Sequence, residues 1–344
     1  MTRMAFSTRE VPPAARAERS PAAPCEWLGN WQLIGCVGQG EWTSVYRARP
    51  AGAQGEQASA YALKTLRAER QDDPLAIEML AREARVGREA RHPHLIAVLE
   101  AQLKRAPRFL VMPWLEGAAL QAYTGLFTAI HKPEAQAKSF ACASGLCDTH
   151  CAGSTGAVNN PPYTAAQRLL DPPAVLWIAR QTAEALAALD GAGWRHGDVK
   201  PANIFLSPAG HATLLDLGFA RRRDETNEGP GLIAGSGHYL APEQVTARGH
   251  ADIRSDIYSL GVVLYQLLAG RVPLEGDTLE QLAVAHKQTA PPHLRRIAPH
   301  VPPRAADLVQ RMLAKDPLRR PQSPAELVAE LVRLEIDTFS ERAA

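Results

Sequence analysis

A chain of 344 residues with 46% hydrophobic content can bury the core of one large domain or of two lobes around a shared cleft. Its 38 Lys and Arg against 36 Asp and Glu leave a formal charge of +2, too small for the basic footprint of a nucleic-acid-binding surface, so no nucleic-acid partner is expected. No segment approaches the roughly 18 consecutive apolar residues of a membrane span. The richest run, 260–268, is broken by Gly261, Tyr265 and Gln266, and a cytoplasmic protein is expected.

Residues 1–28, rich in Pro, Ala and Arg and without the apolar core of a signal peptide, read as a flexible leader. From 31 to 114 short β-type runs alternate with one helical stretch. Segments 33–37 and 44–48 flank a glycine turn as a hairpin does, and 61–66 reads as a third strand. The Glu, Ala and Arg of 74–90 favour a helix, and 109–112 is a short apolar strand before the Pro113-Trp114 break. Between about 122 and 170 no period is sustained and Asn159-Asn160-Pro161-Pro162 intervenes, which predicts an insertion loop.

Asp171-Pro172-Pro173 then offers an N-cap and a proline start, after which Val175, Ile178, Thr182, Leu186 and Leu189 share a helical face until Gly191. Segment 255–270 is apolar on more than one face and is expected at the centre of a larger, helical lobe. Helices over 305–313 and 324–334 follow, with a short tail at 336–344. The expectation is an α+β fold of two unequal lobes: a small β-rich one over about 29–112 and a mostly helical one over about 116–335.

Five cysteines are too few for a dense disulfide framework. Cys25 and Cys36 are isolated. Cys142, Cys147 and Cys151 cluster near His150 and His131, ligand chemistry that zinc could use, but no C-x-x-C pair is present. A metal site, a redox disulfide and three free thiols all remain open for them.

Chemistry concentrates in four places. Gly38-Gln39-Gly40-Glu41-Trp42-Thr43-Ser44-Val45 lies between two predicted strands, where small residues let backbone N–H groups approach a phosphate chain. Alone it also fits an ordinary glycine hairpin. Lys64 is a cation on the third strand, and Glu83 on the next helix could hold it in place, although Arg82, Arg85 and Arg88 also allow a plain ion-paired surface helix. In His196-Gly197-Asp198-Val199-Lys200-Pro201-Ala202-Asn203 a carboxylate, an ammonium and an amide converge from one proline-containing turn. Asp216-Leu217-Gly218 follows one hairpin length later. Phosphoryl transfer needs oxygen ligands for Mg²⁺, an oriented acceptor hydroxyl and cations to absorb charge, and these residue types supply them.

In order and spacing the motifs resemble a eukaryotic-type serine/threonine protein kinase domain of the bacterial kind, over residues from about 31 to 334 apart from the insertion. The resemblance implies ATP with Mg²⁺, or Mn²⁺ in its place, protein substrates and two lobes about a nucleotide cleft. It implies that Lys64 and Glu83 form an ion pair between the lobes. Asp198 would orient or deprotonate the acceptor hydroxyl, Lys200 would contact the γ-phosphate, and Asn203 with Asp216 would hold the metal. Gly38, Gln39 and Gly40 would cover the phosphates. Val37, Val45, Ala62 and Phe205 would enclose adenine, with Met112 as gatekeeper and the backbone of Pro113, Trp114 and Leu115 along the adenine edge. Ser236 would touch Asp198 and Lys200. Ala241-Pro242-Glu243 would end the activation segment, Asp256 would open the central helix, and Arg320 would partner Glu243.

Three positions depart from the family. Thr43 stands at the third glycine, Gly87 where a larger apolar residue commonly stacks, and Gly197 where an arginine normally meets an activation-segment phosphate. From Gly197 activity without activation-segment phosphorylation is expected, with Thr226 and Ser236 the hydroxyl residues in that segment. His-Gly-Asp also resembles small-molecule phosphotransferases, which usually lack the Lys-Pro-x-Asn continuation and the Ala-Pro-Glu segment present here. A pseudokinase scaffold is the other alternative, opposed by the full set from Lys64 to Asp216.

Overall fold

The computed structural model describes residues 27–53, 61–124, 170–223, 225, 237–245 and 251–343. Ser236, Thr226, the leader, the cysteine cluster and nearly all of the expected insertion lie outside them.

The first lobe is an antiparallel sheet in the order β1-β2-β3-β4-β6-β5. Its strands are β1 (Trp27–Leu28), β2 (Trp31–Gln39), β3 (Thr43–Pro50), β4 (Tyr61–Leu66), β5 (Glu100–Gln102) and β6 (Phe109–Pro113). Alternation along the strands sorts the side chains into two sets. Trp31, Leu33, Ala48, Leu63, Phe109 and Val111 form a core on one face, which sends Ala62, Lys64 and Met112 to the other. The hairpin is longer than sequence periodicity suggested, because register shifts between Leu33 and Gly35 and between Cys36 and Gly38 break the alternation of β2 without ending its pairing. Helix α1 (Pro74–Glu89) starts where expected: Asp73 accepts from the N–H groups of Leu75 and Ala76, and proline fills the first position.

The second lobe is built on α2 (Pro172–Gly191) and α3 (Ile253–Ala269). The Asp171 side chain makes no capping hydrogen bond to α2, whose first two residues, Pro172 and Pro173, carry no N–H to offer. Every α3 residue from Ser255 to Leu268 is buried, so the helix occupies the lobe centre as its apolar breadth implied. Around it lie α4 (Leu279–Gln288), α5 (Leu294–Ile297), α6 (Pro303–Met312) and α7 (Pro324–Ala343). The last helix runs on through most of the stretch read as a tail. Arg180 of α2 pairs with Glu335 at 2.9 Å and Thr338 is buried, so α7 is still packing beyond residue 335.

Short strands position the chemistry. Strand β7 (Ala118–Ala119) pairs with β9 (Ile204–Leu206), which pairs with β10 (Ala212–Leu214), while β8 (Trp194–Arg195) pairs with β11 (Arg221–Arg222). The loop after α1 docks on the second lobe through Ile96 N–H to Leu214 O at 3.0 Å and Leu214 N–H to His94 O at 2.8 Å.

Candidate active site

A cleft of about 730 Å³ opens under the β2–β3 hairpin and is bounded by β4, β6, α1 and the segments around Asn203 and Asp216. The residues assigned to the nucleotide, from Val37 in the hairpin to Phe205 in β9, all line it, as do Glu83, Asn203 and Asp216. Thr43 of the glycine-containing segment lines it too, and so do Ile96, Glu116, Gly117, Ala202 and Leu215, which sequence reasoning did not assign to the nucleotide. Leu215, next to Asp216, was within reach from the apolar run before it, whereas Ile96 has no local signal beyond one apolar pair. At the end of β6 Pro113 offers only a carbonyl acceptor, and beyond it Trp114 and Leu115 add N–H donors.

Lys64 sits at the meeting point of the lobes. Its Nζ is 2.7 Å from Glu83 Oε2 and 2.9 Å from Asp216 Oδ1. Burial alone lowers the Lys64 pKa, but the carboxylates of Asp216 and Glu83 outweigh it and hold the ammonium above the ordinary lysine range. Burial raises Asp216, and Lys64 more than reverses this, keeping its carboxyl below the usual range. Asp216 is the only described non-glycine residue with positive φ, at 61°. That left-handed turn costs about 1–2 kcal/mol in an L-residue, and such strain persists where surrounding contacts over-determine the conformation.

The loop of residues 196–203 is held from three sides. Asp256 of α3, 1% exposed, accepts from the N–H groups of His196 at 2.6 Å and Gly197 at 2.8 Å. His196 is wholly buried, its Nε2 2.9 Å from Leu215 O and its Nδ1 3.2 Å from the Asp198 N–H. A carbonyl can only accept and an amide N–H can only donate, so the ring is neutral with its proton on Nε2. It thereby ties the loop to the residue preceding Asp216.

Within the loop, Asp198 Oδ2 lies 2.7 Å from Lys200 Nζ and 2.9 Å from Asn203 Nδ2, which also donates to Asp198 O at 2.8 Å. Burial raises the Asp198 pKa, partly offset by Lys200. The structure thus gathers Asp198, Lys200 and Asn203 in one cluster and Lys64, Glu83 and Asp216 in another, both reaching the same cleft through Asn203 and Asp216. Glu243 lies away from the cleft lining and accepts from Arg320, at 2.6 and 2.9 Å, and from Ser255 Oγ at 2.7 Å.

A sheet lobe and a helical lobe, with a lysine and carboxylates converging on a glycine-covered cleft, define a protein of the two-lobed nucleotide-dependent kinase class. Residues 159–331 match the family model described as the protein kinase domain. A probable serine/threonine-protein kinase of Clostridium perfringens is 29% identical over 92% of this chain and 40% of its own length. Serine/threonine-protein kinase PrkC of Bacillus subtilis is 27% identical over 88% of this chain and 40% of its own length. Serine/threonine-protein kinase PknA of Mycobacterium tuberculosis is 29% identical over 88% of this chain and 61% of its own length. The chain belongs to the protein kinase domain family. It spans about 40% of the length of the first two of these relatives. No helix among the described residues is long and apolar enough to cross a membrane.

Proposed function

We propose that this chain transfers the γ-phosphate of ATP to serine and threonine hydroxyls of proteins, its own included, in the cytoplasm, with Mg²⁺ as the metal and Mn²⁺ able to replace it. Lys64 suspended between Glu83 and Asp216, in the cleft that Asn203 also lines, carries the reading.

The donor set suits a hard cation. Asn203 spends its Nδ2 on Asp198, which leaves Oδ1 as an oxygen donor in the cleft that Asp216 also lines, and Mg²⁺ is commonly held by one or two such oxygens together with phosphate. Among the described residues no cluster of three or more His, Cys, Asp or Glu forms a protein-only metal cage, and this mode of binding requires none. Bound there, Mg²⁺ neutralises charge on the phosphate oxygens. Lys64 supports those oxygens, with Glu83 fixing its direction. Asp198, its pKa raised by burial, accepts the hydrogen bond of the incoming hydroxyl and takes its proton, and Lys200 beside it balances charge on the transferred group. Ala241-Pro242-Glu243, anchored on Arg320 and Ser255, supports a ledge for a peptide acceptor rather than a small molecule.

The test is transfer from radiolabelled ATP to protein, with the modified residues mapped. Metal-dependent label on Ser or Thr is expected, reduced at least about a thousandfold in Asp216→Asn. Label confined to a small-molecule acceptor, or ATP binding with no transfer at all, overturns the reading.

A further inference from the structure

Nine residues after Asp216, a single carboxylate collects three donors from two elements. Glu225 Oε1 lies 3.0 Å from Arg82 Nη2 of α1 and 2.8 Å from Arg221 Nη1 of β11, and Oε2 accepts from the Arg222 N–H at 3.2 Å. The same Arg82 Nη2 also meets Glu78 Oε1 at 2.6 Å, and the Arg82 side chain is 12% exposed. It immediately precedes Glu83, the residue that sets the direction of Lys64. Strand β11 pairs Arg221 with Arg195, which immediately precedes His196. One carboxylate therefore bears at once on the helix that carries Glu83 and, through β11 and β8, on the start of the 196–203 loop.

An arginine at position 197 would be the usual contact for a phosphate from this segment, and the chain has Gly197. We propose that Glu225 is a positioning residue: a permanent anion of the chain that bridges Arg82 and Arg221 and holds α1, and with it the Lys64–Glu83 pair, in the closed arrangement without a phosphate. Arginine pairs equally with a carboxylate or a phosphate, so a fixed glutamate can bear on the cations that a phosphorylated segment would otherwise recruit. Its effect on transfer rests on the phosphotransferase reading above. Its effect on α1 does not.

Two readouts separate these dependencies. In Glu225→Ala, amides of α1 are expected to exchange with solvent at least about tenfold faster, while the thermal midpoint moves little, as befits a partly exposed pair. The kcat is expected to fall about tenfold or more with KM for the peptide nearly unchanged. Acetate should restore part of that kcat where chloride at equal ionic strength does not, because it returns a carboxylate to the gap between Arg82 and Arg221. Glu225→Gln, which keeps shape without charge, should behave like the alanine variant. Arg82→Ala combined with Glu225→Ala should be little worse than either alone. Unchanged α1 exchange, or additive losses in the double variant, overturns the proposal. If wild-type protein transferred no phosphate while α1 exchange still responded to Glu225→Ala, the activity reading would fall and the latch would stand.

Discussion

At residue 197 the backbone explains a departure that sequence could only register. Gly197 has φ +81°, and a Cβ built there would come within 2.7 Å of the Phe219 carbonyl oxygen. Its N–H is committed to Asp256 at 2.8 Å. An arginine therefore cannot simply be restored: Gly197→Ala and Gly197→Arg should each lower stability by about 1–3 kcal/mol in urea unfolding, from strain and the clash together. An unchanged midpoint would show that the loop can take an ordinary conformation. With no arginine available at 197, segment phosphorylation should matter little, and initial rates of Thr226→Ala should stay within about tenfold of wild type, or roughly 1.4 kcal/mol of barrier. At this scale the sequence was most legible where chemistry demands particular groups close together, as in Asp198, Lys200 and Asn203. Glu225 could not be read, since its local setting in Arg221-Arg222-Arg223-Asp224-Glu225 looks like a solvated charge run and its partner Arg82 is 143 residues away.

Helix α1 shows how an element can absorb a missing side chain. Gly87 lies one turn after Glu83, and Val98 takes the space of the missing side chain: its Cγ2 would meet a Cβ at position 87 at 2.6 Å. Val98 N–H also donates to Gly87 O at 3.3 Å, so the two backbones are pinned together. An exposed helical Gly→Ala change gains about 1 kcal/mol, but packing reverses the sign here, and Gly87→Ala should cost about 1–2 kcal/mol. Val98→Ala should also destabilise, and the double variant should recover at least about 0.5 kcal/mol of the summed losses in a urea double-mutant cycle. Strict additivity would mean that Val98 moves aside freely. Elements with strong periodicity or caps, such as α1, β4 and α3, were legible nearly to their ends. Helix α4 was not, because only Leu282 and His286 of its ten residues are buried, leaving no apolar stripe to detect. The two- and three-residue strands β7, β8, β9 and β11 are fixed by pairing with partners far along the chain, and three-residue β5 by pairing with β6, so none carries a pattern of its own.

Across the whole molecule, one apolar core runs from α1 and β6 into the helical lobe, Lys64 to Asp216 and Arg82 to Glu225 add polar links between the lobes, and the helical lobe carries its own buried polar frame. The Arg320 side chain is fully buried against Glu243. Removing the acid in Glu243→Ala strands that guanidinium and should cost about 3–5 kcal/mol in urea unfolding. The same frame predicts acid sensitivity. Tyr258 of α3 meets His286 Nδ1 of α4 at 2.8 Å, Lys315 Nζ approaches the same hydroxyl at 3.4 Å, and the Arg320 guanidinium lies over the Tyr258 ring. Burial, aided by the charge of Lys315, pushes the His286 pKa from 6.5 down to about 4. Between those values the unfolded chain binds a proton that the folded chain refuses. The stability this residue supports is therefore complete above pH 6.5 and is lost as pH falls to about 4. Unfolding free energies from urea titrations between about pH 7.5 and about pH 4.5 should fall in wild type by on the order of 1–2 kcal/mol more than in His286→Gln, which cannot take up the proton. Parallel slopes would mean that His286 titrates alike in both states, and that α4 opens from Tyr258 before the helical lobe unfolds.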